Sequence, residues 1–355
     1  RAVAGLPGYA GSESCRSCHA PFYERWSTSH HGRALQPFTA ELAGGLGEQP
    51  APLSVAPYRY RAEPAAGRLR EEGPDGTRHY AMTHAMGGKN VFYFLTPLER
   101  GRLQVLPLAY DVNRREWFDT AASAMRHFAG APDAPIFWRE PAYTFNASCF
   151  NCHVSQFDRN YDAATDSYRT TWGEPGINCE TCHGPAAEHV AAARLLPAGA
   201  PMPDPKLIVA RTLAPEQINA LCGSCHGKLT PITANFRPGD RFYDHFGLST
   251  LEDQDFHPDG RDLGENFTMT TWGLSPCARR GGLSCVHCHT SSGRYKFRGD
   301  GNPNAACLPC HATRVESAPA HTRHPASGPG SRCVDCHMPM TEFARMRRSD
   351  HSMRP

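Results

Sequence analysis

The sequence predicts a fold of mostly irregular loops and short α-helices, with a small antiparallel β-rich insertion. Three observations lead to this expectation. The five-residue pattern Cys-x-x-Cys-His occurs seven times in 355 residues. The 32 Gly and 31 Pro interrupt regular structure, and only 40% of the residues are hydrophobic. Residues 51–120 lack the pattern and carry β-rich runs such as NVFYFL and RLQVLPLAY.

The repeated pattern is the strongest chemical signal in the chain. It is typical of covalent haem attachment, because the two thiols form thioether bonds to the porphyrin and the histidine ligates the iron. A zinc knuckle or a redox dithiol also uses CxxC, but neither needs a histidine after the second cysteine seven times over. The motifs, numbered 1 to 7 in chain order, begin at Cys15, Cys149, Cys179, Cys222, Cys285, Cys307 and Cys333.

The motifs predict seven covalently bound haem c groups. Of the 15 cysteines, Cys277 alone lies outside a motif. The predicted thioether cysteines are Cys15, Cys18, Cys149, Cys152, Cys179, Cys182, Cys222, Cys225, Cys285, Cys288, Cys307, Cys310, Cys333 and Cys336. The predicted proximal iron ligands are His19, His153, His183, His226, His289, His311 and His337.

The ratio of chain to cofactor then decides the fold class. About 51 residues are available per motif (355/7), which is few for a domain with a side-chain core of its own. We therefore expect a multihaem cytochrome c, with loops and short helices packed on seven haems. Its regions would be an N-terminal haem segment at 1–50, a β-rich haem-free insertion at 51–135 and a six-haem C-terminal region at 136–355. These regions would form one continuous haem-cored unit.

Two local patterns add detail. Within the insertion, Asp75-Gly76 predicts a β-hairpin turn in an antiparallel meander. After motif 1, Phe22, Trp26 and His30 lie at positions i, i+4 and i+8, which predicts a helix with one aromatic face that ends in histidine.

A CxxCH motif does not supply the second axial ligand of its iron. Seven of the 19 histidines are proximal, and His287 lies inside its own motif, so eleven histidines remain for seven sites. Every haem can therefore be bis-histidine, which suits electron transfer and blocks substrate access to iron. We expect His189 to ligate a neighbouring haem rather than the haem of His183. The candidates for distal ligands are His30, His31, His84, His127, His189, His257, His321, His324 and His351.

Charge and hydropathy limit where the protein can be located and which partners it can bind. The chain has no basic run of five or more residues, which argues against nucleic-acid binding. It also has no apolar stretch near the ~18 residues of a membrane span. It starts at Arg1 without an apolar signal-like segment, which suggests a removed leader. Since thioether attachment of haem takes place outside the cytoplasmic membrane, we expect an exported protein, periplasmic or extracellular.

Several longer segments resemble known cytochromes. WSTSHHGRAL after CRSCH resembles the first segment of cytochromes related to the tetrahaem cytochromes of ammonia oxidisers. The run THAMGGKNVFYFLTP, GRLQVLPLAYD, CFNCHVSQ, EPGINCETCHGPAAEH, CVDCHMP and DHSMRP resembles the heptahaem module of bacterial multihaem cytochromes, often fused to tetratricopeptide repeats. The likeness covers most of the chain and is least specific at 196–220 and 227–284.

The resemblance implies particular distal ligands and also has limits. It implies that His31, His84, His127, His189, His324 and His351 take this role. The helical repeats that often follow the DHS segment are absent from this sequence. No CxxCK motif is present, so the mechanism of pentahaem nitrite reductases is not implied.

Three functions fit these patterns. The favoured hypothesis is electron transfer along seven closely spaced, mainly bis-histidine haems, to redox partner proteins or an extracellular electron acceptor. This includes an end-to-end polymer, an extracellular filament in which His351 or His30 ligates a haem of the next subunit. The alternative is a reductase or oxidase of a small nitrogen or sulfur compound at one five-coordinate haem, although no catalytic residue can be named. A third hypothesis is an interaction module that docks a partner through its β-rich segment.

Overall fold

The computed structural model describes residues 7–123, 135–197, 199–233, 235–253, 255–262, 267–299, 301–328 and 330–354, and the backbone of 127–128 and 131–132. The chain divides into two compact units, Arg1–Ile208 and Val209–Pro355. This boundary falls inside the predicted six-haem region, so the first unit holds motifs 1 to 3 and the second holds motifs 4 to 7.

The first unit contains two antiparallel sheets, as the β-rich runs predict. A five-stranded sheet has the order β1-β6-β7-β8-β9, and a four-stranded sheet has the order β2-β3-β4-β5. The strands are β1 Leu35–Pro37, β2 Leu53–Val55, β3 Tyr58–Glu63, β4 Arg68–Gly73, β5 Gly76–Ala81, β6 His84–Gly87, β7 Val91–Pro97, β8 Leu103–Asp111 and β9 Glu116–Asp119.

The predicted hairpin joins β4 and β5. Gly73 pairs with Gly76, so Pro74 and Asp75 form a two-residue turn. Gly76 has φ +106°, a conformation that side chains with a Cβ rarely adopt, and this explains the glycine after Asp75. The hairpin prediction is confirmed.

Strand β8 is buried on both faces, which explains why RLQVLPLAY is almost continuously apolar instead of alternating. On one face, Leu106 packs with Leu69 of the four-stranded sheet. On the other face, Val105 packs with Phe145 and Trp172, and the first cysteine of motif 2, Cys149, packs against the same cluster. The sheet therefore forms the support on which motif 2 rests.

Helices are short in both units. In the described ranges, no helix combines the length and the apolar character needed to cross a membrane. The helices are α1 Glu13–Arg16, α2 Ala20–Ser27, α3 Ala40–Gly45, α4 Thr120–Ser123, α5 Phe145–Ser148, α6 Phe150–His153, α7 Cys179–His183, α8 Ala187–Ala193, α9 Pro215–His226, α10 Met269–Leu274, α11 Pro276–Arg279, α12 Leu308–Glu316, α13 Ala318–Thr322 and α14 Cys333–His337.

Helix α2 is shorter than the aromatic pattern predicts. It ends at Ser27, so the row from Phe22 through Trp26 stops before His30. The Thr28 hydroxyl donates to the Glu24 carbonyl at 2.9 Å, and the Ser29 hydroxyl donates to the Trp26 carbonyl at 2.6 Å. These side chains occupy the carbonyls of the last turn, which favours a helix end over continuation.

Small two-stranded pairs occur in both units. In the first unit they are β10 His127–Phe128 with β11 Ala131–Pro132, β12 Val154–Ser155 with β15 Glu174–Pro175, and β13 Tyr161–Asp162 with β14 Ser167–Tyr168. In the second unit they are β16 Leu229–Pro231 with β17 Phe246–Leu248, and β18 Met340–Phe343 with β19 Met346–Ser349. A small apolar cluster of the second unit joins Ala220 on α9 to Phe242 and Phe246. The predicted combination of loops, short helices and antiparallel strands is confirmed.

We expect Gly101→Ala to destabilise the first unit more than Gly67→Ala. Both glycines have left-handed φ, +71° and +63°, so each substitution should cost about 1–2 kcal/mol. At Gly101 an added Cβ would also collide with the Tyr168 carbonyl oxygen, whereas Gly67 has open space. Thermal unfolding of the holoprotein should show about 1–3 kcal/mol of extra loss for Gly101→Ala. Equal losses in the two variants would contradict this packing.

Candidate haem sites

Each CxxCH motif lies in or beside a helical turn. The amide of His19 donates to the Cys15 carbonyl at 2.9 Å, and that of His289 donates to the Cys285 carbonyl at 3.0 Å. One turn places residues i, i+3 and i+4 on the same side of the backbone. Both cysteines and the histidine of a motif can therefore meet one porphyrin.

Three motif histidines are paired with a second histidine ring. The ring centroids of His19 and His189 are 6.4 Å apart, with an interplanar angle of 21°. Those of His289 and His351 are also 6.4 Å apart, at 30°. In the third pair, His321 and His337, the centroids are 6.2 Å apart and the rings are almost parallel, at 7°.

This spacing fits an iron between the two rings. Imidazole nitrogens bind transition metals at about 2.0–2.1 Å, so two rings on opposite sides of one ion have centroids roughly 6.3 Å apart. Ordinary aromatic contacts also occur at such lengths. Here, however, each pair joins the histidine of a CxxCH motif to a histidine outside that motif, and this happens three times. The residues present therefore fit bis-histidine haem.

Hydrogen bonds set the tautomer of several histidines. The bonds run from a ring Nδ1 to a backbone carbonyl, which orients the ring and leaves Nε2 with its lone pair for a metal. They join His153 to Ala34 (2.8 Å), His183 to Ile208 (2.9 Å), His189 to Pro205 (2.7 Å) and His351 to Ser349 (2.8 Å).

Burial favours the neutral form of three candidate ligand rings. Desolvation lowers the pKa of His84 and of His153 below the usual range. It lowers the pKa of His351 to about 4, and the neighbouring His289 ring acts in the same direction. Neutral imidazole is the form that ligates iron, so this environment suits the role.

Six of the seven motifs meet in pairs through their first cysteines. In the first unit, the side chains of Cys15 and Cys179 lie beside each other, which brings motifs 1 and 3 together. In the second unit the same contact joins Cys285 to Cys222 and Cys307 to Cys333. The structure therefore pairs motif 4 with motif 5, and motif 6 with motif 7.

Two carboxylates, which the sequence analysis did not single out, hold motif 1 against motif 3. Glu180, inside motif 3 and 3% exposed, accepts hydrogen bonds from the amides of Ala10, Gly11 and Ala186 at 2.8–2.9 Å. Glu174 accepts from the Ser12 amide and hydroxyl, at 3.1 and 2.9 Å. Glu180 occupies one of the two unspecified positions of CxxCH. Its role in joining the two motifs is therefore visible only from its burial and contacts in the fold.

The remaining candidate histidines lie in varied surroundings. His84 begins β6, and its ring is 6.0 Å from Trp172, in the apolar cluster that also receives motif 2. His31 is half-buried, and its carbonyl accepts the amide of Ile177 just before motif 3, whereas His30 is exposed. His257 is half-buried and His324 is exposed. The side chain of His127 lies outside the described residues.

Two histidines outside the candidate set have other partners. The Nδ1 of His245 is 2.5 Å from the Thr233 hydroxyl, and its Nε2 is 3.3 Å from the Asp240 carboxylate. The Nδ1 of His287 accepts the Ser284 amide at 2.9 Å within its own motif. Both rings are therefore held by local contacts.

Comparisons with known proteins show that this chain is similar to cytochromes. Residues 124–184, which include motifs 2 and 3, match the family model described as cytochrome c554 and c-prime. No curated protein sequence matches the chain. Among solved structures, the outer cell wall cytochrome OcwA is similar over 98% of this chain and 80% of its own, with a TM-score of 0.61 and 14% identity.

Two further solved structures are more distant. One is the undecahaem cytochrome from the S-layer of Carboxydothermus ferrireducens, with a TM-score of 0.48, 18% identity, and coverage of 98% of this chain and 53% of that one. The other is the octahaem sulfite reductase MccA of Wolinella succinogenes, with a TM-score of 0.45, 12% identity, and coverage of 99% and 60%. The predicted resemblance to multihaem c-type cytochromes is confirmed by the family match and the OcwA-like fold.

We expect Glu180→Gln to loosen residues 8–12 from motif 3. A neutral amide offers one acceptor oxygen to three backbone N–H donors, and hydrogen bonds to a charged group contribute about 1.5–3 kcal/mol each. Amide hydrogen exchange of residues 8–12 should therefore become faster. Glu188→Gln removes the same charge from an exposed position of α8 and serves as the matched control. Equal exchange in the two variants would show that Glu180 does not hold the segment.

Proposed function

We propose that this chain is an exported multihaem c-type cytochrome that transfers electrons through seven covalently bound haems. The observation that carries the proposal is the set of three histidine ring pairs at haem-ligand spacing, each built on a different CxxCH motif. When bound, the haem irons supply one-electron redox chemistry. The chain anchors each porphyrin, orients the axial rings and limits access to iron.

The ring pairs support three distal ligands. His189 serves the haem of motif 1, His351 that of motif 5 and His321 that of motif 7. The location of His84 beside the motif 2 cluster supports it as the ligand opposite His153. The position of His31 just before motif 3 supports a role there. The ligand roles of His30, His127, His257 and His324 stay predictions.

Bis-histidine ligation favours electron transfer over substrate reduction. Two histidine rings that hold one haem iron would leave no position open for a substrate on that iron. Hydrogen bonds from Nδ1 to the backbone hold the orientation of His153, His183, His189 and His351, which would limit ring movement when an iron changes its oxidation state. Electron transfer between close cofactors is then the chemistry that remains.

Location and partners follow from the attachment chemistry and the fold. Thioether haem attachment takes place outside the cytoplasmic membrane, and OcwA, which has a similar fold, is described as an outer cell wall cytochrome. A periplasmic or extracellular site, with a redox protein or an extracellular acceptor as partner, fits both. In the filament version of the hypothesis, ligation across subunits would fall to His30, because His351 is paired with His289 of its own chain.

We expect seven haems per chain. Replacing both cysteines of one motif, for example Cys307→Ala with Cys310→Ala, should lower the count to six, because the porphyrin loses both thioether bonds. Mass spectrometry of the denatured holoprotein measures the covalently attached haem. Cys277→Ser removes a cysteine outside the motifs and should leave seven. A wild-type count below seven would contradict the proposal.

We expect each of His189→Ala, His321→Ala and His351→Ala to convert one low-spin ferric haem into a high-spin haem, because one axial ligand is lost. Electron paramagnetic resonance of the oxidised protein resolves the two spin states. His79→Ala, on the exposed surface of β5, is the control and should change nothing. Unchanged spectra in the three variants would refute the assignments. A high-spin signal already present in the wild type would favour the reductase alternative.

A further inference from the structure

The residue three positions before the first cysteine divides the motifs into two classes. A polar residue stands there in motifs 1, 2, 4 and 6, and glycine stands there in motifs 3, 5 and 7. The polar residues are Ser12, Asn146, Asn219 and Asn304, and the glycines are Gly176, Gly282 and Gly330. The polar side chains are buried, with 1%, 2%, 9% and 7% of their surface exposed.

Asn304 of motif 6 grips the backbone that leads into motif 7. Its Oδ1 accepts the amide of Cys333 at 2.8 Å, and its Nδ2 donates to the Ser331 carbonyl at 3.0 Å. One side-chain amide therefore binds a backbone N–H and the carbonyl two residues before it. Both hydrogen-bonding groups of the buried amide are satisfied, so the contact is directional.

Asn219 of motif 4 repeats this contact on motif 5. Its Oδ1 accepts the amide of Cys285 at 3.0 Å, and its Nδ2 donates to the Leu283 carbonyl at 3.2 Å. The two partners again are the first cysteine of the other motif and the carbonyl two positions earlier.

In motif 1 a hydroxyl takes the place of the amide. The amide of Cys179 donates to the Ser12 hydroxyl at 3.4 Å, and that hydroxyl donates to Glu174 at 2.9 Å. The carbonyl two residues before Cys179 belongs to Ile177, and it accepts the Trp26 indole N–H at 2.6 Å. The polar groups of the receiving segment are therefore satisfied in this pair too, with two side chains sharing the task.

Motifs 3, 5 and 7, whose backbone accepts the partner's side chain, have glycine at this position because its φ is left-handed. Gly176, Gly282 and Gly330 have φ of +77°, +60° and +81°, a region that costs a residue with a Cβ roughly 1–2 kcal/mol. The left-handed turn precedes the segment whose N–H and carbonyl the partner side chain binds. Gly282 has open space around its Cα, so the backbone conformation, and not crowding, accounts for glycine there.

Motif 2 shows that the contact does not depend on a second motif. Asn146 accepts the amide of Leu103 at 2.7 Å and donates to the Gly101 carbonyl at 3.4 Å. The spacing between the two backbone groups is the same, but the bound segment is the start of β8. The same device therefore fixes motif 2 to the sheet.

We propose that the residue three before the first cysteine determines how the haem-binding motifs assemble: Asn or Ser makes a motif clamp a partner, and Gly makes it the clamped partner. The result is three fixed pairs, motifs 1 and 3, 4 and 5, and 6 and 7, with motif 2 clamped to β8. Because the contact ends at the first cysteine of the receiving motif, it sets the distance between the two porphyrin attachment points. Asn219 and Asn304 are thus positioning residues for electron exchange within a pair, a role that rests on the proposed function.

Asn219→Ala and Asn304→Ala in the full holoprotein test the proposal. Each variant should speed amide exchange at the receiving cysteine, Cys285 or Cys333, by about 5- to 30-fold, the effect of losing one or two net hydrogen bonds. In a redox titration the potentials of two haems should shift, and those of the other five should stay unchanged. Asn304→Asp keeps the acceptor for the Cys333 amide and should give an intermediate exchange rate.

Asn146→Ala is the matched control, because it removes the same side chain from the same position of a motif. It should speed amide exchange at Leu103 and leave the receiving cysteines as in the wild type. If a clamp variant attaches too little haem to be titrated, its Asp counterpart supplies the measurement.

The outcomes distinguish a failure of the proposed function from a failure of the proposed contact between motifs. A wild-type haem count below seven would count against the proposed function itself. Seven haems with unchanged exchange at Cys285 and Cys333 in the clamp variants would overturn the clamp. If the potentials of all haems shift, and shift equally in Asn146→Ala, the contact only stabilises the fold and does not position a particular pair of haems.

Discussion

Under the proposed function, the constraint on which the rest of the structure depends is that a bis-histidine iron takes one ring on each face, while a CxxCH motif supplies only one ring. The second ring must come from outside the motif. His189 meets His19 across 170 residues (189−19), and His351 meets His289 across 62 (351−289). Each meeting closes a loop and orders the segments at both ends, at an entropy cost that rises only slowly with loop length. If the two rings of a pair share an iron, as proposed, each pair fixes the positions of both segments.

In the first unit, a sheet supports one of the three motifs. The five-stranded sheet buries β8 on both faces, and the cluster around Phe145 and Trp172 carries motif 2 on one of them. Motifs 1 and 3 are joined by polar contacts instead, chiefly the buried Glu180 carboxylate with its three backbone donors. Burial of a charge is tolerable there because every donor is close and well directed. Apolar packing and charge-assisted hydrogen bonds thus fix different motifs of the same unit.

The second unit has a smaller apolar cluster and four motifs. Here the side-chain amides of Asn219 and Asn304 join motifs through the backbone at Cys285 and Cys333, the first cysteines of motifs 5 and 7. A bidentate amide fixes both direction and distance, whereas an apolar contact allows sliding. The same type of contact ties Asn146 to β8 in the first unit. Electron transfer needs cofactors at constant separation, and contacts of this kind can hold them without extensive secondary structure.

The sequence by itself determined what depends on local spacing. The seven motifs and the β4–β5 hairpin are set by residues a few positions apart, and backbone geometry fixes their outcome. The partner of each proximal histidine was not determined, since eleven histidines compete for seven sites and only the folded chain decides which ones meet. The end of α2 at Ser27 was missed because Thr28 and Ser29 bind the last carbonyls, a contact that an aromatic period does not report. In the sequence, Glu180 occupies an unspecified position of motif 3 and shows no sign of a role. It was the tertiary structure that brought Ala10, Gly11 and Ala186 to its carboxylate, because hydrogen bonds between distant segments leave no periodic trace in a sequence.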